Sequence, residues 1–335
     1  MGVIEVEGLT KEFNGLRAVD NISFTIEEGE IFGMLGPNGA GKTTVIFMLC
    51  TLLRPTMGAA RVAGFDIIKE EMAVRKSIGI VFQDVVIDDR LTAMENLKMQ
   101  AYLYSMSKDE WVPRANELLE LVELSDRKDD LVETYSGGMK RRLEIVRGLL
   151  NQPKVLFLDE PTLGLDPHTR RFIWDYIKRL NTEKGVSILI TSHYMDEIDE
   201  LSERIIIMDR GKEVVLDTPE HLKNMLGKDV LRLKGEPNNE LMDNLRTLSY
   251  VNDVKTSSEG IEIGVNIPGG DAVPEIMRVI YNHNYSFKSL TIQSPTLEDV
   301  FIYYTGKSLR DQGLDRSQTM KRKLGSRRRR RFRRG

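Results

Sequence analysis

The octapeptide Gly36-Pro37-Asn38-Gly39-Ala40-Gly41-Lys42-Thr43 has the residue types and the spacing of a phosphate cradle, G-x-x-x-x-G-K-[ST]. Its glycines let the backbone curl so that successive N–H groups point inward at an anion. A helix that starts at the loop adds the positive end of its dipole. Lys42 can reach the β- and γ-phosphates of a nucleotide as a point charge, and the Thr43 hydroxyl can ligate Mg2+. Thr44, next in the chain, is counted with these eight as a nucleotide contact.

Hydrolysis needs more than a cradle. It needs an acid that positions the metal and a group that activates water. Val155-Leu156-Phe157-Leu158-Asp159-Glu160 offers both, with two carboxylates emerging from an apolar strand. Asp159 is expected to hold Mg2+ and Glu160 to act as general base. Alone, an acidic strand end says little; the P-loop upstream turns it into half of a site.

The elements that must position these groups follow from hydrophobic patterning. Residues 31–35 read as a buried strand before the loop, and residues 44–53 as an apolar helix after it. Ile22, Phe24 and Ile26 alternate with polar residues, which suggests a half-buried antiparallel strand. Residues 77–82 read as a short strand ending at Gln83, residues 154–158 as a continuous apolar strand, and residues 186–190 as another, just before His193. Residues 91–150 turn helical, with Trp111, Leu118, Leu119, Val122 and Leu124 at core spacing, and residues 170–180 form a further helix. Strands alternating with helices argue for an α/β domain with a largely parallel sheet.

After about residue 227 the order becomes β-α-β-β-α-β. Strands fall at 230–234, 251–255, 261–267 and 287–292, and helices at 238–245 and 272–281. That is the order of a ferredoxin-like domain. A last helix, 297–304, follows Pro295-Thr296. The expected division is a cassette over 1–226 with a helical subdomain at about 91–150, an accessory domain over 227–305 and a tail over 306–335.

Composition sets limits. One cysteine, Cys50, excludes an internal disulfide framework, and four scattered histidines show no metal-ligand spacing. No apolar run is long enough to span a membrane, and the N-terminus reads as neither signal peptide nor myristoylation site. Formal net charge is -3, but residues 321–335 carry ten Lys/Arg and no acid, leaving 38 basic against 51 acidic residues elsewhere. The body is therefore acidic. The tail is read as disordered, with anionic lipid or non-specific nucleic acid as its alternative partners.

Tyr135-Ser136-Gly137-Gly138-Met139-Lys140 resembles the signature of the ATP-binding cassette (ABC) family, written L-S-G-G-Q, with Tyr for Leu and Met for Gln. By itself a Ser-Gly-Gly turn opening a helix is an anion site or a plain helix cap. The other family elements follow in order. Gln83 resembles the glutamine that senses Mg2+ and couples to partner helices. Leu163-Gly164-Leu165-Asp166 is similar to the D-loop, His193 to the switch histidine at the γ-phosphate, and Phe13 to the aromatic that stacks on adenine.

The resemblance covers residues 3–220. It implies a P-loop ATPase cassette with a mostly parallel central sheet, an antiparallel β subdomain and a helical subdomain, ahead of the small α+β domain. It also implies ATP and Mg2+ as cofactors. Glu160, His193 and Gln83 would be catalytic. Ser136, Gly137, Gly138 and Asp166 would touch nucleotide across a head-to-tail pair of cassettes. The C-terminal region, with Pro295-Thr296-Leu297-Glu298-Asp299-Val300-Phe301, resembles drug-resistance exporter ATPases of the daunorubicin type. Such subunits sit on the cytoplasmic face of the cell membrane as dimers and power a separate permease of about six spans. The alternative is a soluble ABC ATPase of translation, DNA repair or cofactor assembly. The two-cassette chains of the translation type and the long coiled coils of the repair type are not seen in this sequence.

Overall fold

Strands whose residues are apolar throughout must be covered on both faces, and those that alternate can leave one face to water. The computed structural model, which describes residues 2–306 apart from 228, 237–238, 258–259 and 284, follows that division. The basic tail lies outside the described residues. The chain divides into two compact units, Met1–Leu216 and Asp217–Gly335.

In the first unit, β1 (Ile4–Phe13) and β2 (Leu16–Ile26) form a long antiparallel hairpin, with Ile22, Phe24 and Ile26 buried as the alternation requires. β4 (Met57–Val62) pairs antiparallel with β1, and β5 (Phe65–Asp66) with β4. The second sheet has the order β10-β9-β3-β8-β7-β6. Its strands are β3 (Ile31–Leu35), β6 (Ile78–Val81), β7 (Val155–Asp159), β8 (Ser187–Ser192), β9 (Arg204–Asp209) and β10 (Lys212–Asp217). β3 lies between parallel neighbours β8 and β9, and β7 between β6 and β8, also parallel. β3, β7 and β8 are buried along their whole length. Ligands bind such sheets at the carboxyl ends of the strands, where the P-loop, Asp159 and His193 emerge.

Helix α1 (Lys42–Leu49) follows the P-loop directly. It ends earlier than its apolar run suggests, because Thr51 takes a left-handed conformation and the N–H groups of Leu52 and Leu53 both turn back to the Phe47 carbonyl. Helix α2 (Glu71–Ser77) leads into β6. The helical stretch comprises α3 (Ala93–Leu103), α4 (Lys108–Leu121) and α5 (Gly137–Leu149). Trp111, Leu118, Leu119, Val122 and Leu124 are all buried there. Helix α6 (Pro167–Lys184) starts before the periodic segment because Asp166 caps it, and α7 (Met195–Leu201) follows His193.

The second unit opens with α8 (Pro219–Met225), which packs on the final helix α11 (Leu297–Thr305). Between them run β11 (Asp229–Lys234), α9 (Asn239–Arg246), β12 (Val251–Ser257), β13 (Gly260–Val265), α10 (Gly269–Asn282) and β14 (Ser289–Gln293). The sheet order β12-β13-β11-β14 is antiparallel throughout. Leu231, Leu233, Ile261 and Ile263 meet Leu241, Leu245, Ile276 and Ile280 in one core, as a β-α-β-β-α-β unit requires.

Candidate active site

Gly41 shows why the loop needs glycine. It precedes α1 at φ 110°, and a Cβ there would lie 2.6 Å from the Ala18 carbonyl oxygen. The resulting cleft, of about 290 Å3, is lined by Ala18, Asn38, Gly39, Gly41, Lys42, Thr43, Thr44, Gln83 and Glu160. Lys42 is buried, and its ammonium donates to the Gly36 carbonyl (2.6 Å) and lies 3.2 Å from Glu160 Oε1. A buried cation at the floor of a glycine-lined cleft fits a polyphosphate.

Asp159 ends β7 and is fully buried. Its Oδ1 accepts from Thr191 Oγ1 (2.6 Å) and Thr43 Oγ1 (3.2 Å). Burial pushes this carboxyl up, against the pull of the two hydroxyls. Among the described residues no group of three or more His, Cys, Asp or Glu could hold a metal by itself. Asp159 and Thr43 offer two hard oxygens, which suits Mg2+ that completes its shell with phosphate oxygens and water.

Glu160 is also buried, and its backbone is left-handed at φ 50°, a conformation that costs energy in a non-glycine residue. Its N–H donates to the Thr191 carbonyl and to Thr191 Oγ1, each at 3.1 Å. Its Oε2 pairs with His193 Nδ1 and its Oε1 with Lys42. Burial works to raise this carboxyl, but the histidine and lysine outweigh it and hold the group below its ordinary value. A buried, ionised carboxylate beside the cradle can take a proton from water.

Ser136 caps α5, accepting from Met139 N (3.2 Å). Tyr135 fills the usual leucine position with a buried ring whose hydroxyl donates to the Arg127 carbonyl. Within one chain the Ser136 turn does not line the P-loop cleft. Nor does Asp166, whose carboxylate accepts from His168 N, Thr169 N and Thr169 Oγ1 as the cap of α6. Phe13, 44% exposed at the hairpin tip, carries the Lys11 ammonium over its ring at 5.1 Å and does not line the cleft either.

Sequence reasoning missed three kinds of support. Thr191 Oγ1 donates to the Asp159 carboxylate and accepts from the Glu160 backbone N–H. Glu197, buried in α7 behind His193, accepts from Thr162 Oγ1 (2.7 Å) and Trp174 Nε1 (3.0 Å), tying the segment after Glu160 to α6 and α7. Arg141 and Glu144 are buried on α5. The hydroxyl two residues before His193 was the one visible hint.

Residues 19–163 match the family described as ABC transporter, and residues 218–305 that described as ATP-binding protein DrrA1-3-like, C-terminal domain. Over 312 residues the chain is 38% identical to the linearmycin resistance ATP-binding protein LnrL of Bacillus subtilis (strain 168), spanning 92% of this chain and 100% of that protein. The chain belongs to the ATP-binding subunits of ABC transporters. It is also 38% identical over 318 residues to the daunorubicin/doxorubicin resistance ATP-binding protein DrrA of Streptomyces peucetius, spanning 93% and 95% of the two chains. Against the Nod factor export ATP-binding protein I of Rhizobium sp. (strain N33) it is 36% identical over 307 residues, 91% and 98% of the two. A dimeric bacterial ABC transporter cassette superposes with a TM-score of 0.59 at 29% identity, over 64% of this chain and 98% of that one. As an ABC subunit this chain binds and hydrolyses ATP, and ABC subunits act as dimers with a membrane permease. No helix among the described residues is long and apolar enough to cross a membrane.

Proposed function

We propose that this chain powers an exporter of drugs, lipids or other hydrophobic compounds through a separate permease of about six spans, on the cytoplasmic face of the cell membrane. The observation that carries the reading is similarity across both units to resistance and export subunits, including the C-terminal match over 218–305. No observation favours the soluble ATPase.

Two copies of the chain would pair head to tail, each closing the other's P-loop cleft with its Ser136 turn. The exposure of Ser136 and Gly137, and the open space beside the Gly137 Cα, support this arrangement. Residues 36–44 would hold the triphosphate, with Lys42 on its outer phosphates. Thr43, Asp159 and Gln83 would hold Mg2+, which would neutralise phosphate charge when bound. Glu160 would take the proton of the attacking water, and His193 would hold Glu160 and reach toward the outer phosphate.

Gly138→Ala should slow turnover about tenfold, because overpacking at a tight contact costs about 1–3 kcal/mol. The added Cβ would lie 2.6 Å from Thr169 Cγ2, on a side chain held by Asp166, and would push the Ser136 turn off α6. Affinity of the single chain for an ATP analogue should stay unchanged. Steady-state kinetics beside analogue titration would show the split.

Purification of the tagged chain from its own membranes tests the exporter reading. A co-purifying multi-span protein that stimulates ATPase activity is expected. ATPase activity stimulated by ribosomes or DNA, with no membrane partner, would replace it. The basic residues 321–335 would add contact with anionic lipid at about 1 kcal/mol per Lys/Arg near the surface. Equal sedimentation with phosphatidylserine vesicles, with and without those residues, would remove that contact.

A further inference from the structure

Arg141 lies one turn inside α5 and is 4% exposed; Glu144, on the next turn, is 1% exposed. A guanidinium has five N–H donors, and here all five are used. Nε donates to the Pro161 carbonyl (2.6 Å), and Nη2 to the carbonyls of Asp159 (3.2 Å) and Glu160 (3.1 Å). Nη1 donates to the Phe82 carbonyl (2.5 Å) and to Glu144 Oε2 (2.8 Å). Glu144 Oε1 in turn accepts from Val86 N (2.7 Å).

These partners fall in two places. Asp159, Glu160 and Pro161 are the consecutive residues of the turn that aims the Glu160 carboxylate. Phe82 and Val86 flank Gln83 on either side. The pair sits on the helix whose first residues form the Ser136 turn. One buried ion pair thus grips the catalytic turn, the glutamine segment and the signature helix together. The grip falls where it is needed, since Glu160 is held in a left-handed conformation that its surroundings must enforce. Lysine could not replace this arrangement, because its three donors on one nitrogen cannot fork to five acceptors.

We propose that Arg141 and Glu144 are positioning residues for hydrolysis: they lock the Glu160 turn and the Gln83 segment, which serve this chain's own nucleotide, to the helix whose Ser136 turn serves the partner's, so that the three move as one body. Neither touches the reacting atoms. The proposal rests on Glu160 being the group that activates water.

The test uses the full chain with Arg141→Lys, and Glu144→Gln as a second variant that keeps volume but offers one acceptor where two are needed. In the folded variants kcat should fall roughly 10–100-fold, the effect of a small misplacement of a catalytic group. KM and affinity for a fluorescent ATP analogue should stay within about threefold, the sign of an interaction that acts on the chemical step. A pair that only stabilised the fold would lower the melting temperature and leave kcat per bound nucleotide alone. The proposal is overturned if kcat stays within about twofold of the parent in either folded variant. It is equally overturned if neither variant folds, since the pair would then be a stability element. Glu160→Gln runs beside them: full activity there would remove the reading of Glu160, whereas parent-like activity in Arg141→Lys alone removes only the positioning role.

Discussion

Glu160→Gln should bind ATP as the parent does and turn it over roughly 10²–10⁴-fold more slowly, the range for deleting a general base. Glutamine keeps the volume in a buried site and loses the basicity. The Glu160 carboxylate is held ionised by His193 and Lys42, so it is ready to accept a proton without first losing one. The amide cannot accept a proton, and its NH2 would face one of the two donors. The glycine backbone, Lys42 and Thr43 of the cradle stay in place in this variant, which is why binding should survive. With hydrolysis blocked, the ATP-loaded pair should also persist as a dimer. Kinetics with light scattering at micromolar protein checks both points. A strictly monomeric ATP-bound variant would defeat the head-to-tail pairing, and near-parent turnover would defeat the role of Glu160.

Lys42→Ala should fail earlier, at binding. The ammonium is buried at the floor of the cleft, where a charge-assisted hydrogen bond contributes about 1.5–3 kcal/mol, or roughly 10–150-fold in affinity. Truncation also leaves the buried Glu160 with His193 but without its lysine, so some loss of stability is expected beside the loss of affinity. Calorimetric titration with a non-hydrolysable ATP analogue, on protein shown folded by thermal melting, gives the answer. Unchanged affinity would mean that the triphosphate does not lie against this nitrogen.

The two variants separate because the site has two kinds of parts, and they were not equally legible. The cradle is made by consecutive residues whose backbone geometry is local, so its octapeptide could be read directly. Asp159 and Glu160 were legible for a related reason: four apolar residues before two acids place the acids at the end of a buried strand. The β-α-β-β-α-β order of the second unit was readable because period-2 and period-3.6 patterns alternate cleanly there. The hairpin of β1 and β2 was less clear. Register shifts interrupt the pairing of β1 with both of its neighbours, so its alternation is broken along its length.

What the sequence by itself determined is the glycine-rich loop between β3 and α1, the acidic pair at the strand end, the α/β layering of the first unit and the strand order of the second. These depend on neighbours along the chain, through backbone dihedrals and hydrophobic period. Only the tertiary structure decided which groups hold Glu160 in its strained turn. Thr191 comes from the next strand, His193 from the segment after it, and Arg141 from a helix some twenty residues earlier. Their bonds are made across the fold to carbonyls and carboxylates that no spacing rule brings together. The same holds for the places of Asp166, which caps α6, and Phe13, which lies exposed at the hairpin tip.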